Sequence, residues 1–428
     1  MAEVMVHGEK LAEETLLPSV LEDDDAGTQS EKLQLWEQRA SRTEVGVRGL
    51  KDRRSSPDGD ELVGGERECE EEEEEDEEEE QVISDEDYDT DIELEDKEGG
   101  YDPTGQTRYM EVCGKLQVVP SSYFMRHLQD SELNMMHRGL GPKGTKALAV
   151  PLVTNTSILR LNLRDNWMEG MGGAAVAEML KENCYITEVD LSNNRLGDYG
   201  ARAIAAMLKE NSSLLRLNLS GNHLTDRCAE HLGPALISNT KLQHLDLSYN
   251  ALGERAGQFL GDSLSENTGL KSLNLAWNSI RGRGAVLLAN GLEGNFSLRA
   301  VDLSFNGFGK EGANALGQAL KENTILEELN VSENRIPPEG AICLAVGLKA
   351  NRTIKSLNMG RNPIQNAGSY AILKAIQENP DSAMETLDFS DMTVNQDFVD
   401  LYAAVKETFP SLTVIHGGKF GTFRKAKA

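Results

Sequence analysis

The chain has 428 residues, with 71 acidic and 43 basic side chains, for a formal net charge of −28. A balance this acidic argues against a nucleic-acid partner, which needs cationic surface to neutralise phosphates. No apolar run approaches membrane-spanning length, so neither a membrane anchor nor a secretory leader is expected. The five cysteines, Cys69, Cys113, Cys184, Cys228 and Cys343, are odd in number and show no C-x-x-C spacing. That usage fits a reduced compartment, cytoplasmic or nuclear, without a disulfide framework or a zinc site.

The charge is concentrated at one end. Residues 66–98 hold 22 Asp and Glu against Arg67 and Lys97, whereas the 330 residues after position 98 hold 34 acids and 33 bases. The run Glu70 to Glu80, broken only by Asp76, cannot bury enough apolar area to offset its ordering entropy. Residues 1–100 are therefore expected to be a disordered acidic tail. Ser84 and Thr90, each followed by acids, suit phosphorylation by an acid-directed kinase, and Val82-Ile83 suits a short docking strand. From Tyr101 the composition turns globular. Val112, Leu116, Val118, Val119, Tyr123, Phe124 and Leu128 predict a cap over residues 101–129 that closes the open edge of a solenoid.

Beyond the cap the sequence is periodic. Asn166, Asn194, Asn222, Asn250, Asn278, Asn306, Asn334 and Asn362 stand 28 residues apart, each in a frame L-x-x-L-x-L-x-x-N-x-L such as Leu214, Leu217, Leu219, Asn222 and Leu224. This is a leucine-rich-repeat period. Apolar residues alternate in the first half of each unit, as in a strand, and recur at helical spacing in the second, as at Ile204 and Leu208. No unit can bury its apolar side alone, so neighbours must stack into a parallel sheet backed by helices. The predicted fold class is α/β: a leucine-rich-repeat solenoid, or horseshoe, over residues 130–416, with a short basic tail at 417–428. Leu133, Met135, Leu140 and Gly144 form a degenerate first repeat with Arg138 at the Asn position. Met384, Leu387 and Phe389 continue the pattern two residues late, with Met392 at the Asn position, and Leu412, Val414 and Ile415 suggest a last short strand.

The ladder asparagines sit where the chain leaves each strand, and their amides are expected to satisfy buried turn groups. A second series, Asn155, Asn183, Asn211, Asn239, Asn267, Asn295, Asn323, Asn351 and Asn379, is expected to cap helix C-termini in the left-handed conformation. Gly170, Gly172, Gly173, Gly282 and Gly284 read as turn glycines.

No H-E-x-x-H, G-x-S-x-G, Walker or dinucleotide motif occurs, and no set of acids, bases and nucleophiles converges, so neither catalysis nor a cofactor nor a metal is expected. The frame instead maps the outward face of the strands. One column, Asn162, Asp190, Asn218, Asp246, Asn274, Asp302, Asn330 and Asn358, reads as a mutually bonded polar ladder. The column before the ladder Asn reads Asp165, Asn193, Gly221, Tyr249, Trp277, Phe305, Glu333 and Arg361. Aromatics are only 5 % of the chain, and three in adjacent repeats point to an anchor for a protein partner on the concave face. His244 reads as a further contact residue. Arg160, Arg164 and Arg216 point outward toward the N-terminal end, where the acidic tail joins the repeats. The tail is expected either to remain independent, since exposed ion pairs are weak, or to fold back over these arginines.

The frame, with helices ending in Met207-Leu208-Lys209-Glu210-Asn211 and Ala319-Leu320-Lys321-Glu322-Asn323, resembles the ribonuclease-inhibitor type of leucine-rich repeat over residues 130–410. Within that class the chain resembles the leucine-rich repeat-containing protein 74 group. The resemblance implies helices on the convex side, partner binding on the concave side, and a non-enzymatic interaction scaffold. The Ran GTPase-activating protein also joins such an arc to an acidic tail, there after the arc and here before it, which makes GTPase activation an alternative. Acidic-tailed leucine-rich proteins imply a third, binding of basic proteins such as histones.

Overall fold

The computed structural model describes residues 104–419. The acidic segment with Ser84 and Thr90, Cys69, and the last residues from 420 onward lie outside the described residues. Eleven strands form one sheet in strict chain order: β1 (Glu132–Asn134), β2 (Arg160–Asn162), β3 (Glu188–Asp190), β4 (Arg216–Asn218), β5 (His244–Asp246), β6 (Ser272–Asn274), β7 (Ala300–Asp302), β8 (Glu328–Asn330), β9 (Ser356–Asn358), β10 (Thr386–Val394) and β11 (Thr413–Lys419). Every pair is parallel. Leu161 lies beside Val189 and Val189 beside Leu217, so the 28-residue frame of the sequence is the register of the sheet. At β10 the offset becomes 30, with Leu357 beside Leu387.

Each strand from β1 to β9 has its middle residue buried and its neighbours turned outward, as at Leu217 between Arg216 and Asn218. A helix follows each strand from β1 to β10, for example Gly197–Glu210 after β3 and Glu254–Glu266 after β5. Helices about 10 Å across are wider than strands about 4.8 Å apart. Stacking one of each per repeat therefore bends the array, with the strands on the inner, concave side. At the N-terminal edge the helices Gln106–Leu116 and Ser122–His127 put Val112, Phe124 and Leu128 into the core, where the Tyr109 and Phe124 rings meet edge to face at 4.5 Å. Val119 does not join them. It lies 93 % exposed in the extended link before Pro120, where a following proline disfavours helical backbone.

The ladder asparagines bind repeat to repeat. The Asn194 amide donates to the carbonyls of Leu163, Leu191 and Ser192 at 2.9, 2.9 and 3.1 Å, and its Oδ1 accepts from the Asn166 backbone N–H at 2.8 Å. One side chain thus closes its own turn and ties down the preceding one. The same pattern recurs at Asn222, and the Asn334 amide likewise reaches the Leu303 carbonyl of the preceding repeat. Asn250 and Asn278 keep the amide bonds to the preceding repeat but are only half-buried, unlike the other six.

The second series differs from expectation. Its members are buried, but those that end helices, such as Asn183, Asn211 and Asn267, have extended rather than left-handed backbone. Their side chains do the capping, and they do it for the neighbouring repeat. The Asn183 amide donates to the Leu152 and Asn155 carbonyls at 2.7 and 2.9 Å while its Oδ1 accepts from Tyr185 and Ile186 N–H groups. An extended backbone is needed to aim the amide at those carbonyls.

Of the glycines expected in turns, only Gly282, at φ 51°, has the left-handed backbone of a turn. Gly170, Gly172 and Gly173 lie inside the helix Glu169–Glu182, and Gly282 and Gly284 inside Gly282–Gly294. They mark places where adjacent helices nearly touch. Between the helices Glu254–Glu266 and Gly282–Gly294, a Cβ on Gly291 would stand 2.2 Å from the Gly261 carbonyl oxygen. Cys228 is fully buried and Cys343 is half-buried.

This packing has two consequences for stability. Gly291→Ala should cost about 1–3 kcal/mol through overpacking, read as a lower urea midpoint. Asn194→Ala should cost about 1–3 kcal/mol by orphaning buried carbonyls, and Asn278→Ala measurably less, because water reaches its partners. Equal losses at the two positions would show that burial does not set the strength of the ladder.

Candidate functional site

Three columns of side chains face the concave side or its rim. The first is the leading residue of each strand: Glu132, Arg160, Glu188, Arg216, His244 and Ser272. Arg160 pairs with Glu132 at 2.8 Å and Arg216 with Glu188 at 3.6 Å. The patch read from the sequence as basic is therefore an alternation of opposite charges. The two glutamates stand in the same frame position as the arginines, 28 residues away, and extending the column to them would have shown it. Arg164 lies just beyond β2, exposed and with no carboxylate at ion-pair distance among the described residues. The trough over β1–β6 that contains Arg160, Arg216 and His244 has a volume of about 480 Å³.

His244 sits half-buried between Arg216 and Lys271. Partial burial holds its imidazole below the ordinary range, the two cations add to the effect, and Glu188 opposes it.

The second column is the polar ladder on the strands' last residues. Its oxygens accept backbone N–H bonds two residues on, as Asp190 does from Ser192 and Asn218 from Ser220, both at 2.9 Å. Asn274 and Asn330 also donate to Asp246 and Asp302 at 3.0 Å. Much of its bonding capacity is spent on the fold itself.

The third column precedes the ladder Asn, and its geometry is its main feature. His137, Asp165, Asn193, Gly221, Tyr249, Trp277, Phe305, Glu333, Arg361 and Asp391 all have φ between 52° and 67°. This is left-handed backbone, favoured by glycine and tolerated by Asn and Asp. Tyr249 and Trp277 stack at 5.3 Å, and Trp277 and Phe305 at 3.9 Å, each pair within 12° of parallel. Tyr249 is 59 % and Trp277 45 % exposed, while Phe305 is half-buried. Three repeats thus hold one continuous ring stack open to solvent. Further along the column Arg361 bonds Asp391 at 2.6 Å and meets Glu333 at 3.5 Å.

The frame-based reading overlooked residues just past the ladder Asn. Trp167 is exposed with the Arg195 guanidinium 4.3 Å above its ring, and Arg281 and Arg335 flank the far side of the stack. Carrying the column reading one and three positions further would have found them. Among the described residues no cluster of His, Cys, Asp or Glu is placed to hold a metal ion, and no helix is long and apolar enough to cross a membrane.

The family model described as Leucine Rich repeat matches eight successive stretches: 154–177, 182–205, 210–232, 238–261, 266–289, 294–317, 322–345 and 350–373. Each begins just before or at an Asn of the second series and runs through a strand into its helix. The chain is a leucine-rich-repeat protein. Such a repeat domain is a scaffold for protein–protein interaction. The chain is similar to Leucine-rich repeat-containing protein 74B of Homo sapiens, 43 % identical over 73 residues, and to its Mus musculus counterpart, 42 % identical over 69 residues. These matches span 17 % and 16 % of this chain and only 19 % and 18 % of the relatives. Among solved structures the leucine-rich repeat domain of APL1 is similar at TM-score 0.38 and 16 % identity, covering 63 % of this chain and 58 % of that one. An internalin from Listeria monocytogenes is similar at 0.37 and 13 %, covering 74 % and 90 %. The actin-binding site 2 of leiomodin-1 is similar at 0.30 and 24 %, covering 34 % and 87 %.

The electrostatics of this leucine-rich-repeat protein's trough can be tested at His244. Its NMR titration midpoint should lie below that of a free histidine, about 6.5. Because the depressed pKa means that the unfolded chain binds the proton more readily, this group's contribution to stability is lost as pH falls below that value. Arg216→Ala should raise the midpoint; an unchanged midpoint would show that the guanidinium does not act on the ring.

Proposed function

We propose that this protein is a non-enzymatic scaffold that holds a protein partner against the strand side of its repeats, with Tyr249, Trp277 and Phe305 as the anchor. One observation carries the reading: three large rings, two exposed and Phe305 half-buried, stack on left-handed backbone where the preceding repeats use Asp165, Asn193 and Gly221. Left-handed backbone costs an ordinary side chain about 1–2 kcal/mol. Ring stacking returns about 0.5–1.5 kcal/mol per pair, and the exposed ring faces return no burial energy. A sequence selected only for the fold would place Asn or Gly here. Rigid aromatics at the centre of a concave surface are the usual hot spots of protein interfaces, and a contiguous exposed apolar patch marks a contact site. His244 and Arg164 extend the contact toward β2, whereas Arg160 and Arg216 enter it already paired with carboxylates.

The backbone conformation supplies a cleaner test than truncation to alanine. The triple change Tyr249→Asn, Trp277→Asn, Phe305→Asn removes the rings and relieves the strain together. It should leave the circular dichroism spectrum unchanged and the melting temperature equal or higher, while the partners retained by the wild-type chain in affinity purification are lost. A folded variant that keeps every partner would place binding elsewhere. A misfolded one would show that the stack is structural.

A further inference from the structure

Resting on that reading, we infer that the partner presents an acidic peptide segment to a trough beside the ring stack. The trough, about 400 Å³, is lined by Trp277 and Phe305 on one side and by Arg281, Arg335, Arg361 and Glu333 on the other. The roles of these charges differ. Arg361 is engaged by Asp391 and Glu333, and Glu333 is the trough's one carboxylate. Arg281 and Arg335 are exposed and have no carboxylate within ion-pair distance among the described residues. Arg335 stands on left-handed backbone at φ 57°, and Arg281 is fixed by the bridge that its backbone makes with Gly307.

Two uncompensated guanidiniums beside two ring faces form a composite site. A guanidinium presents a planar fork that matches a carboxylate. The ring faces accept an apolar side chain or a peptide plane. The ligand that satisfies both is an extended peptide carrying one large apolar residue with Asp or Glu on either side of it. Elsewhere Arg160, Arg216 and Arg299 each pair with a glutamate in a neighbouring repeat, whereas Arg164, like Arg281 and Arg335, has no carboxylate at ion-pair distance among the described residues but stands away from the rings. Cations left open next to an exposed anchor select negative charge and repel a basic partner.

The test is selection of 16-residue peptides from a random phage-displayed library on the full-length chain, with affinities of recovered peptides then measured by fluorescence polarisation. The comparison proteins are Arg281→Glu/Arg335→Glu, its neutral counterpart Arg281→Gln/Arg335→Gln, and the triple Asn variant. Recovered peptides should carry acids flanking an apolar residue, bind more weakly as salt rises, and lose roughly tenfold in affinity with the Gln pair and more with the Glu pair. They should not bind the triple Asn variant. Peptides that need the rings but show no acidic bias and ignore the arginines would overturn the acidic ligand while leaving the aromatic anchor in place. Peptides that need neither would overturn both. Displacement of the selected peptides by a synthetic peptide of residues 66–98 at equal concentration would make the chain's own acidic segment the occupant and overturn an external partner. Both arginines are exposed, so an unchanged urea midpoint in the Gln pair confirms that its fold is intact.

Discussion

The structure depends on a side-chain amide that serves two repeats at once. A ladder asparagine such as Asn194 donates within its own turn and to the carbonyl of the repeat before, while its oxygen takes the preceding ladder residue's backbone N–H. These backbone groups are buried, and water cannot replace the partner. The bond also fixes the residue immediately before it. The carbonyls two and three residues back reach the amide across a residue in left-handed backbone, and the same conformation persists at His137 and Asp391, where Arg138 and Met392 replace the asparagine. The turn that every repeat shares thus sets the direction of this column, the ladder bond holds that turn where Asn is present, and the column carries the rings.

The second asparagine series completes the opposite end of the repeat by the same logic. A helix leaves its last carbonyls without intrahelical partners. Here the amide one repeat on supplies them, as Asn211 does at 2.6 Å from the Leu180 carbonyl. Inter-repeat cohesion is thus polar at both ends of the helix and apolar between, where Leu and Ala pack and glycines let backbones meet. A unit of this kind has nothing to bond to in isolation, which is why the array is stable only as a stack.

Most of this architecture could be read from the residues. Period, strand positions, register and the identity of the exposed columns all follow from apolar spacing, because burial selects residue type strongly at those sites. The features that could not be read were conformational or relational. The extended backbone at Asn183 is invisible in a residue that also favours left-handed geometry elsewhere. The helical placement of Gly172 and Gly284 depends on how close the neighbouring helix lies. The neutral character of the Arg160 and Arg216 stripe required their partners to be placed, although Glu132 and Glu188 were in view. Tyr249, Trp277 and Phe305 were legible as a column but not as a strained one, since nothing in an aromatic residue's identity announces a positive φ.

That strain separates the possible meanings of an exposed ring. Residues that need the left-handed column for the fold have a compensating bond across the repeat: His137 to Asp165, and Arg361 to Glu333 and Asp391. The rings have only each other, and their outer faces meet solvent. Stacking orders them into a rigid plate before any ligand arrives, so binding there would not be charged the rotamer entropy that a loose aromatic loses. The same plate is bounded on one side by guanidiniums that make no ion pair within the repeats. In the proposed contact, rigidity in the rings and open charge beside them would act on different steps: the first would slow dissociation, and the second would govern which partners approach.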